Sequence, residues 1–316
     1  DATKIYVRLP GNRGAYADIH AADSRSDLAV LKLIGGRAGP LKAVALGDAD
    51  RAERGQFVLT LANPFASGFR DGQPTASWGI LSGIRRRAPL SLKEEERIRP
   101  FHHYPTLLQT DARLHLGSSG GALLNMKGEL IGLLTSLAAI QGLETPGGYA
   151  LPINAGMRRV IDVLKRGEEV DYGFLGIAFD ENPPEGQVGV QLTSVGLGTP
   201  ARVEGKLERD DILLGINDQP IRNGDDIYVQ VAMHLAGSKV RLLVRRKGKE
   251  HVAEVTLAKL HVPGKSIASS PGSRPYFRGL RVDWGSLLVQ QQLGRPYPAG
   301  VMISEVQPNT NAERSE

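Results

Sequence analysis

The chain has 316 residues, 41% hydrophobic and 23% charged, with a net charge of +5 and no cysteine. That length provides two or three domains with real cores, and the lack of cysteine excludes a disulfide framework, a thiolate zinc site and a cysteine nucleophile. No apolar run approaches a membrane span, and the basic residues, Arg85 to Arg87 among them, are not interleaved with aromatics as on a nucleic-acid surface, so no nucleic-acid partner is expected.

In chain order, the opening DATKIYVRLPGNRG reads as a strand and a turn, without a signal-peptide pattern. Apolar runs at 27–34, 55–64, 76–84 and 129–138, separated by Gly, Pro and Asp turns, predict an antiparallel barrel or sandwich rather than alternating strands and helices. Between the last two lies GSSGG at 117–121, flanked by LHL and by ALLN, which both read as buried strands. A Gly/Ser linker belongs in polar, low-complexity surroundings. Glycines wedged between apolar runs fit a tight turn instead. Met157, Val160, Ile161 and Leu164 recur at helical spacing and predict a helix over 154–167 with Gly167 as its stop. From EEVDYGFLGIAF a second strand-rich segment runs to about Leu260, ending in two alternating strands around KGKE. Residues 261–275 form a Pro/Gly/Ser-rich linker. Beyond it the chain repeats itself: GVQLTSVGLGTPARVEG (189–205) aligns without a gap with GVMISEVQPNTNAERSE (300–316), placing Val190 with Val301, Val195 with Val306 and Ala201 with Ala312. A duplicated module accounts for this register, its second copy stopping where the first copy's helix would begin.

An isolated serine hydroxyl needs an adjacent base, held by a third group, to act as a nucleophile. It also needs backbone N–H groups aimed at the oxyanion. Within GSSGG, Ser119 can project from a turn whose Gly117 and Ser119 N–H groups converge, with Ser118 packed behind it. The pentapeptide also fits the G-x-S-x-G nucleophile elbow, which requires a strand–turn–helix and a following acid and histidine. Here a strand follows the serine, and His234, His251 and His261 belong in or beside a separate module. No metal cluster or nucleotide loop stands out, and no cofactor is expected.

LQTDA followed by GSSGGALLNMKGELIGL resembles the serine loop of trypsin-like proteases of the HtrA/Deg family, and DSRSDLAVLKL (23–33) resembles that family's aspartate segment. LGDADRAERGQFVLTLANPF, ASWGILSGI, GGYALPIN and RRVIDVLKRG follow in the family's order. The resemblance implies a mainly β chain: a chymotrypsin-like double β-barrel, here N-terminally truncated, followed by PDZ domains of α+β type. The implied boundaries are 1–167 for the protease domain with its closing helix, 172–260 for the first PDZ domain, 261–275 for the linker and 276–316 for the start of a second. It casts Ser119 as nucleophile, Asp27 as orienter of the histidine, and Gly117 and Ser119 as oxyanion-hole donors. It further implies that the strand carrying Gly148, Tyr149 and Ala150 pairs with an extended substrate, that Leu114, Leu116 and Tyr149 line an apolar primary pocket, and that Leu175, Gly176 and Ile177 grip a peptide's terminal carboxylate. Ser118 stands where the family usually has Asn, and RLHL replaces a more typical AIN stretch.

In this family the histidine lies roughly thirty residues before the aspartate, which places it ahead of Asp1. The expectation is that the 316 residues alone are inactive, whereas the full-length protein is a serine endopeptidase. His20 reads as a strand histidine, His115 as a loop histidine, and His102 and His103 fall in a polar loop. The implied protein is an extracytoplasmic, periplasmic or membrane-anchored homotrimer that degrades unfolded chains and binds peptide C-termini. The competing reading is a non-catalytic, chaperone-like binder that works through its PDZ modules.

Overall fold

The computed structural model describes residues 5–9, 13–34, 40–64, 73–86, 107–115, 117–135, 148–180, 186–232, 234–260, 267–269, 276–284 and 301–315. The chain divides into two compact units, 1–167 and 168–316.

In the first unit, β1 (Ile5–Leu9), β2 (Arg13–Asp23) and β3 (Leu28–Ile34) form an antiparallel sheet with β2 in the middle. Asp23 caps the β2–β3 turn from within. It is buried, and its carboxylate accepts from Ser26 N–H at 2.7 Å and from Ser26 Oγ at 2.5 Å. Six further strands close a barrel: β4 (Phe57–Ala62), β5 (Thr75–Arg86), β6 (Leu107–Thr110), β7 (Ala122–Asn125), β8 (Leu130–Thr135) and β9 (Gly148–Pro152), in the order β4-β5-β6-β9-β8-β7. Closure removes the exposed edges of an open sheet. Leu81, Leu123, Ile131 and Ala150, each at most 1% exposed, fill the interior. The described residues of the first unit therefore hold one closed chymotrypsin-like barrel and a separate open antiparallel sheet.

Helix α1 (Ala155–Lys165) follows β9 directly. Asn154 caps it by accepting from Met157 N–H at 2.9 Å. The buried stripe is Met157, Val160, Val163 and Leu164, with Ile161 only half-buried. The helix packs on β2 and β3.

The second unit opens with β10 (Gly173–Phe174), which pairs with β17 (Ala258–Lys259). Its main sheet runs β11 (Ile177–Phe179), β12 (Val190–Val195), β13 (Ile212–Ile216), β15 (Lys239–Arg246) and β16 (Lys249–Thr256), with β14 (Gln219–Pro220) beside β13. The KGKE turn is as read from the sequence: Lys247 and Gly248 both have positive φ, 49° and 80°, and join β15 to β16 tightly. Two helices, α2 (Pro200–Val203) and α3 (Gly224–Ala232), cover the sheet. Leu192, Leu213, Leu242 and Val244, none measurably exposed, are the centre of its core. A part-buried ion pair ties β15 to the loop before β13: Arg246 donates twice to buried Asp211, both at 2.7 Å, and once to the Lys206 carbonyl at 2.7 Å. A two-residue strand, β18 (Ile267–Ala268), precedes the repeat. There β19 (Leu280–Trp284) pairs with β20 (Val301–Val306), and β20 spans the positions aligned with β12.

Candidate active site and peptide-binding loop

The serine loop is held by backbone bonds on every side. Gly120 N–H donates to the Leu134 carbonyl at 2.9 Å, and Leu134 N–H returns a bond to the Gly121 carbonyl at 2.8 Å, so β8 grips the loop. Ser118 is the buried brace, 2% exposed. Its Oγ accepts from His115 N–H at 3.1 Å, its N–H donates to the His115 carbonyl at 3.0 Å, and its carbonyl accepts from Gly121 N–H at 3.0 Å. Because that carbonyl points into the loop, a trans peptide sends the next N–H, that of Ser119, the opposite way, out of the loop. Gly117 and Gly120 carry φ of 88° and 82°, a region glycine enters freely. Ser119 itself is exposed at the tip.

Asp27 closes the β2–β3 turn in the left-handed region, φ 52°, which Asp tolerates better than most residues. It is exposed by surface area, yet desolvation by the surrounding chain pushes its carboxyl above the usual range. His20 sits on β2 with Nε2 3.3 Å from the Lys165 carbonyl, at the end of α1.

Two expectations from the sequence are corrected. LHL does not form a strand in its described part: Leu114 and His115 lie in a loop. Asp111 accepts from Ile80 N–H at 2.7 Å and Arg113 N–H donates to Ser77 Oγ at 3.1 Å, pinning that loop to β5. Second, two of the three β9 residues expected to pair with substrate are paired on both sides within the barrel. Tyr149 pairs with Gln109 of β6 and Thr135 of β8, and Ala150 with Leu108 and Leu134. Gly148 also pairs, with Thr110. A closed barrel uses both edges of every strand, so backbone pairing of substrate with Tyr149 and Ala150 is excluded. Leu114 packs directly over Gly148, its Cγ 2.7 Å from where a Cβ there would stand, and Tyr149 is 9% exposed beside it. Leu116 lies outside the described residues.

In the second unit, Leu175 and Gly176 link β10 to β11. The Leu175 carbonyl accepts from Ala201 N–H at 3.1 Å and the Gly176 carbonyl from Gly196 N–H at 3.0 Å. With both carbonyls turned inward, the Gly176 and Ile177 N–H groups point outward. Ile177 faces Val195, and the Gly196–Gly176 bond brackets that pair, so Ile177's own polar groups lie on the edge away from β12. Among the described residues β11 ends the sheet there. Helix α3 lies alongside: Phe179 and Tyr228 meet edge-on at 5.3 Å, and Ile177, Val195 and Val231 pack on the core beneath. The result is an open strand edge beside a helix over an apolar floor, with outward N–H groups at one end, a geometry suited to adding a peptide strand.

Residues 1–133 match the trypsin-like peptidase domain family and residues 173–257 the PDZ domain family. A probable periplasmic serine endoprotease DegP-like protein of Pseudomonas fluorescens is 32% identical over 97% of this chain and 62% of its own length. The chain belongs to the HtrA/Deg family of trypsin-like serine proteases with PDZ domains.

The periplasmic pH-dependent serine endoprotease DegQ of Escherichia coli is 30% identical over 90% of this chain and 60% of its own length. Among solved structures, the HtrA-type protease AlgW with tripeptide matches at TM-score 0.63 and 29% identity, covering 83% of each chain, and AlgW with decapeptide at 0.60 and 28%, covering 83% of this chain and 77% of that one. The chain thus spans about 62% of the length of the curated HtrA/Deg relatives it matches. Three residues escaped the sequence reading: Asp23, Ser118 as a hydrogen-bonding brace, and Thr199, whose buried Oγ1 lies 3.4 Å from the Gly176 carbonyl. Asp23 and Thr199 stand four and twenty-two or more residues from the site residues they support, with nothing local to mark them.

Proposed function

We propose that the protein is an HtrA-type serine endopeptidase in which Ser119 attacks the scissile carbonyl. The observation that carries this is the loop itself, where buried Ser118 and β8 fix the backbone so that Ser119 stands exposed with its N–H turned outward. Gly117 and Ser119 N–H groups are the oxyanion donors. Asp27 orients a histidine that, in this family, precedes the aspartate in the chain. Leu114 and Tyr149 line the primary pocket, with Leu116 between Leu114 and the serine in sequence. Residues 1–167 act as the protease domain, 172–260 as a PDZ domain, 261–275 as a linker and 276–316 as a second module of the same kind. The substrates are unfolded or misfolded polypeptides, and the Leu175–Ile177 loop takes the terminal carboxylate of a peptide laid along β11. The AlgW structures with bound peptides support a peptide ligand.

The names of the curated relatives support a periplasmic site of action, whether free or membrane-anchored. The family resemblance suggests assembly as a homotrimer, and Phe57 and Trp78, 54% and 72% exposed and 6.0 Å apart on the outer face of the barrel, offer an aromatic pair for a subunit contact. Large exposed aromatic patches mark contact surfaces. Sedimentation of the Phe57→Ser variant tests this: a shift to monomer is expected, and an unchanged mass refutes the role. The endopeptidase reading is tested by digestion of unfolded casein with full-length protein and its Ser119→Ala variant. Loss of cleavage in the variant is expected. Equal cleavage by both would rule out Ser119, and no cleavage by either would favour a peptide-holding pseudoprotease.

A further inference from the structure

Thr199 immediately precedes α2, a position where a Thr side chain ordinarily accepts from the helix's first N–H groups. Its hydroxyl makes no such bond. Instead Oγ1 donates to the Gly196 carbonyl at 2.7 Å and lies 3.4 Å from the Gly176 carbonyl. The side chain is buried and packs face-on against the loop glycine, with Oγ1 2.7 Å from where a Cβ on Gly176 would stand. One hydroxyl thus lies within hydrogen-bond distance of two carbonyl oxygens, those of Gly196 and Gly176.

The arrangement occurs twice in this chain. Thr310 occupies the position aligned with Thr199 in the internal repeat. Its Oγ1 donates to the Gln307 carbonyl at 2.7 Å, and Gln307 N–H donates to the Gly279 carbonyl at 2.8 Å. Gly279 has φ 84°, against 85° at Gly176, and Thr310 Cβ stands 2.7 Å from where a Cβ on Gly279 would lie. Two modules with few other identities place a threonine on a left-handed glycine in the same way. The amide that follows differs. Leu280 N–H donates to the Phe277 carbonyl at 3.0 Å, whereas Ile177 N–H lies on the open edge of its sheet. The brace is common to both modules, and the outward amide belongs to the first.

We propose that Thr199 is a positioning residue for peptide recognition: its hydroxyl fixes the Gly176–Ile177 peptide plane so that two N–H groups converge on the ligand's terminal carboxylate. The proposal rests on the carboxylate-binding role given above to Leu175–Ile177. Bonds from N–H to an ionised acceptor are strong only when well aimed. Loss of the hydroxyl therefore weakens recognition of the carboxylate more than it weakens the apolar contacts of the groove.

The test uses the whole chain and fluorescein-labelled decapeptides ending in Val, Leu or Phe, each as free acid and as C-terminal amide, with Kd read by anisotropy. Wild type is expected to favour the acid over the amide by on the order of tenfold. Thr199→Val, which keeps the shape and removes the hydroxyl, is expected to bring that ratio to about twofold or less, and Thr199→Ser to restore it. The ratio separates positioning from simple loss of fold, since a destabilised module loses both ligands alike. Should the valine variant fail to fold, Thr199→Ala gives the same comparison, and Thr310→Val controls for removal of an equivalent hydroxyl elsewhere. A valine or alanine variant with the wild-type ratio would overturn the proposal. No acid preference in wild type would overturn the carboxylate reading itself, and this proposal with it.

Discussion

Adjacent glycines in the serine loop are required for different physical reasons, and alanine at each separates them. At Gly121 a Cβ would stand 2.6 Å from the Leu61 carbonyl oxygen, 2.9 Å from Ala62 Cβ and 2.9 Å from the Ser118 carbonyl oxygen. These distances are roughly 0.6–1 Å inside ordinary contact, and none of the three atoms is the tip of a flexible side chain. The backbone must move, at an overpacking cost of about 1–3 kcal/mol. At Gly120 nothing lies within 4 Å of the added Cβ, but φ is 82°. The cost there is conformational, about 1–2 kcal/mol. Stability alone hardly distinguishes the two. Reactivity does, because Gly121 N–H bonds the Ser118 carbonyl that sets the direction of Ser119 N–H. Displacing catalytic groups by about 1 Å can cost ~100-fold in rate. The assay is fluorophosphonate labelling of full-length protein, alongside urea unfolding followed by circular dichroism. Gly121→Ala is expected to lose labelling by about two orders of magnitude, and Gly120→Ala to stay within about tenfold of wild type at similar stability. Equal labelling of Gly121→Ala and wild type, or a more severe loss in Gly120→Ala, would refute the steric argument.

Further outcomes follow from other parts of the chain. Asp27 has a raised carboxyl pKa in the folded protein, so its ionised form is disfavoured there: the favourable contribution is present in acid and lost as pH rises through the folded value. Asp27→Asn should therefore raise the melting temperature at pH 7, with the gain vanishing below about pH 4, while labelling of Ser119 falls. A variant that is both less stable and fully reactive would contradict both roles. At Asp211 burial alone would raise the pKa, but the Arg246 hydrogen bonds, the Glu208 N–H and the Arg246 charge outweigh it and hold the carboxyl below its usual value. Its stabilisation is present above the ordinary carboxylate range and lost as pH falls through the lowered value. Asp211→Ala leaves the part-exposed Arg246 with only the Glu208 carboxylate at 3.4 Å and the Lys206 carbonyl at 2.7 Å, and a loss of about 1–3 kcal/mol by urea unfolding is expected. His20→Gln should leave Ser119 labelling unchanged, since the ring contacts the end of α1; abolished labelling would instead make His20 the base.

The barrel strands and α1 were legible because local pattern and tertiary burial agree. Apolar runs at 55–64 and 76–84 became β4 and β5, and helical spacing at 157–164 became α1. Even there the buried face rotated toward Val163 and away from Ile161, because packing on β2 and β3, invisible in the sequence, sets the final angle. The repeat was legible for a different reason: alignment of 189–205 with 300–316 needs no knowledge of packing, and β20 duly covers the positions aligned with β12. Leu114 and His115 misled because apolar residues can line a loop when neighbouring polar groups, here Asp111 and Arg113, are anchored to another strand. The edges of β9 could not be read because a strand's partners are chosen by barrel closure and leave no mark on the strand itself. Asp23, Ser118 and Thr199 act through hydroxyl and carboxylate bonds to backbone, which any Asp, Ser or Thr could make.

Whether Ser119 is the nucleophile is decided by treating full-length protein with a fluorophosphonate and mapping the adduct by peptide mass spectrometry. A single adduct on Ser119 is expected, absent from Ser119→Ala and formed on the order of a thousandfold more slowly, or slower still, in Asp27→Ala. An adduct on another serine, or proteolysis of casein without modification of Ser119, would contradict that role.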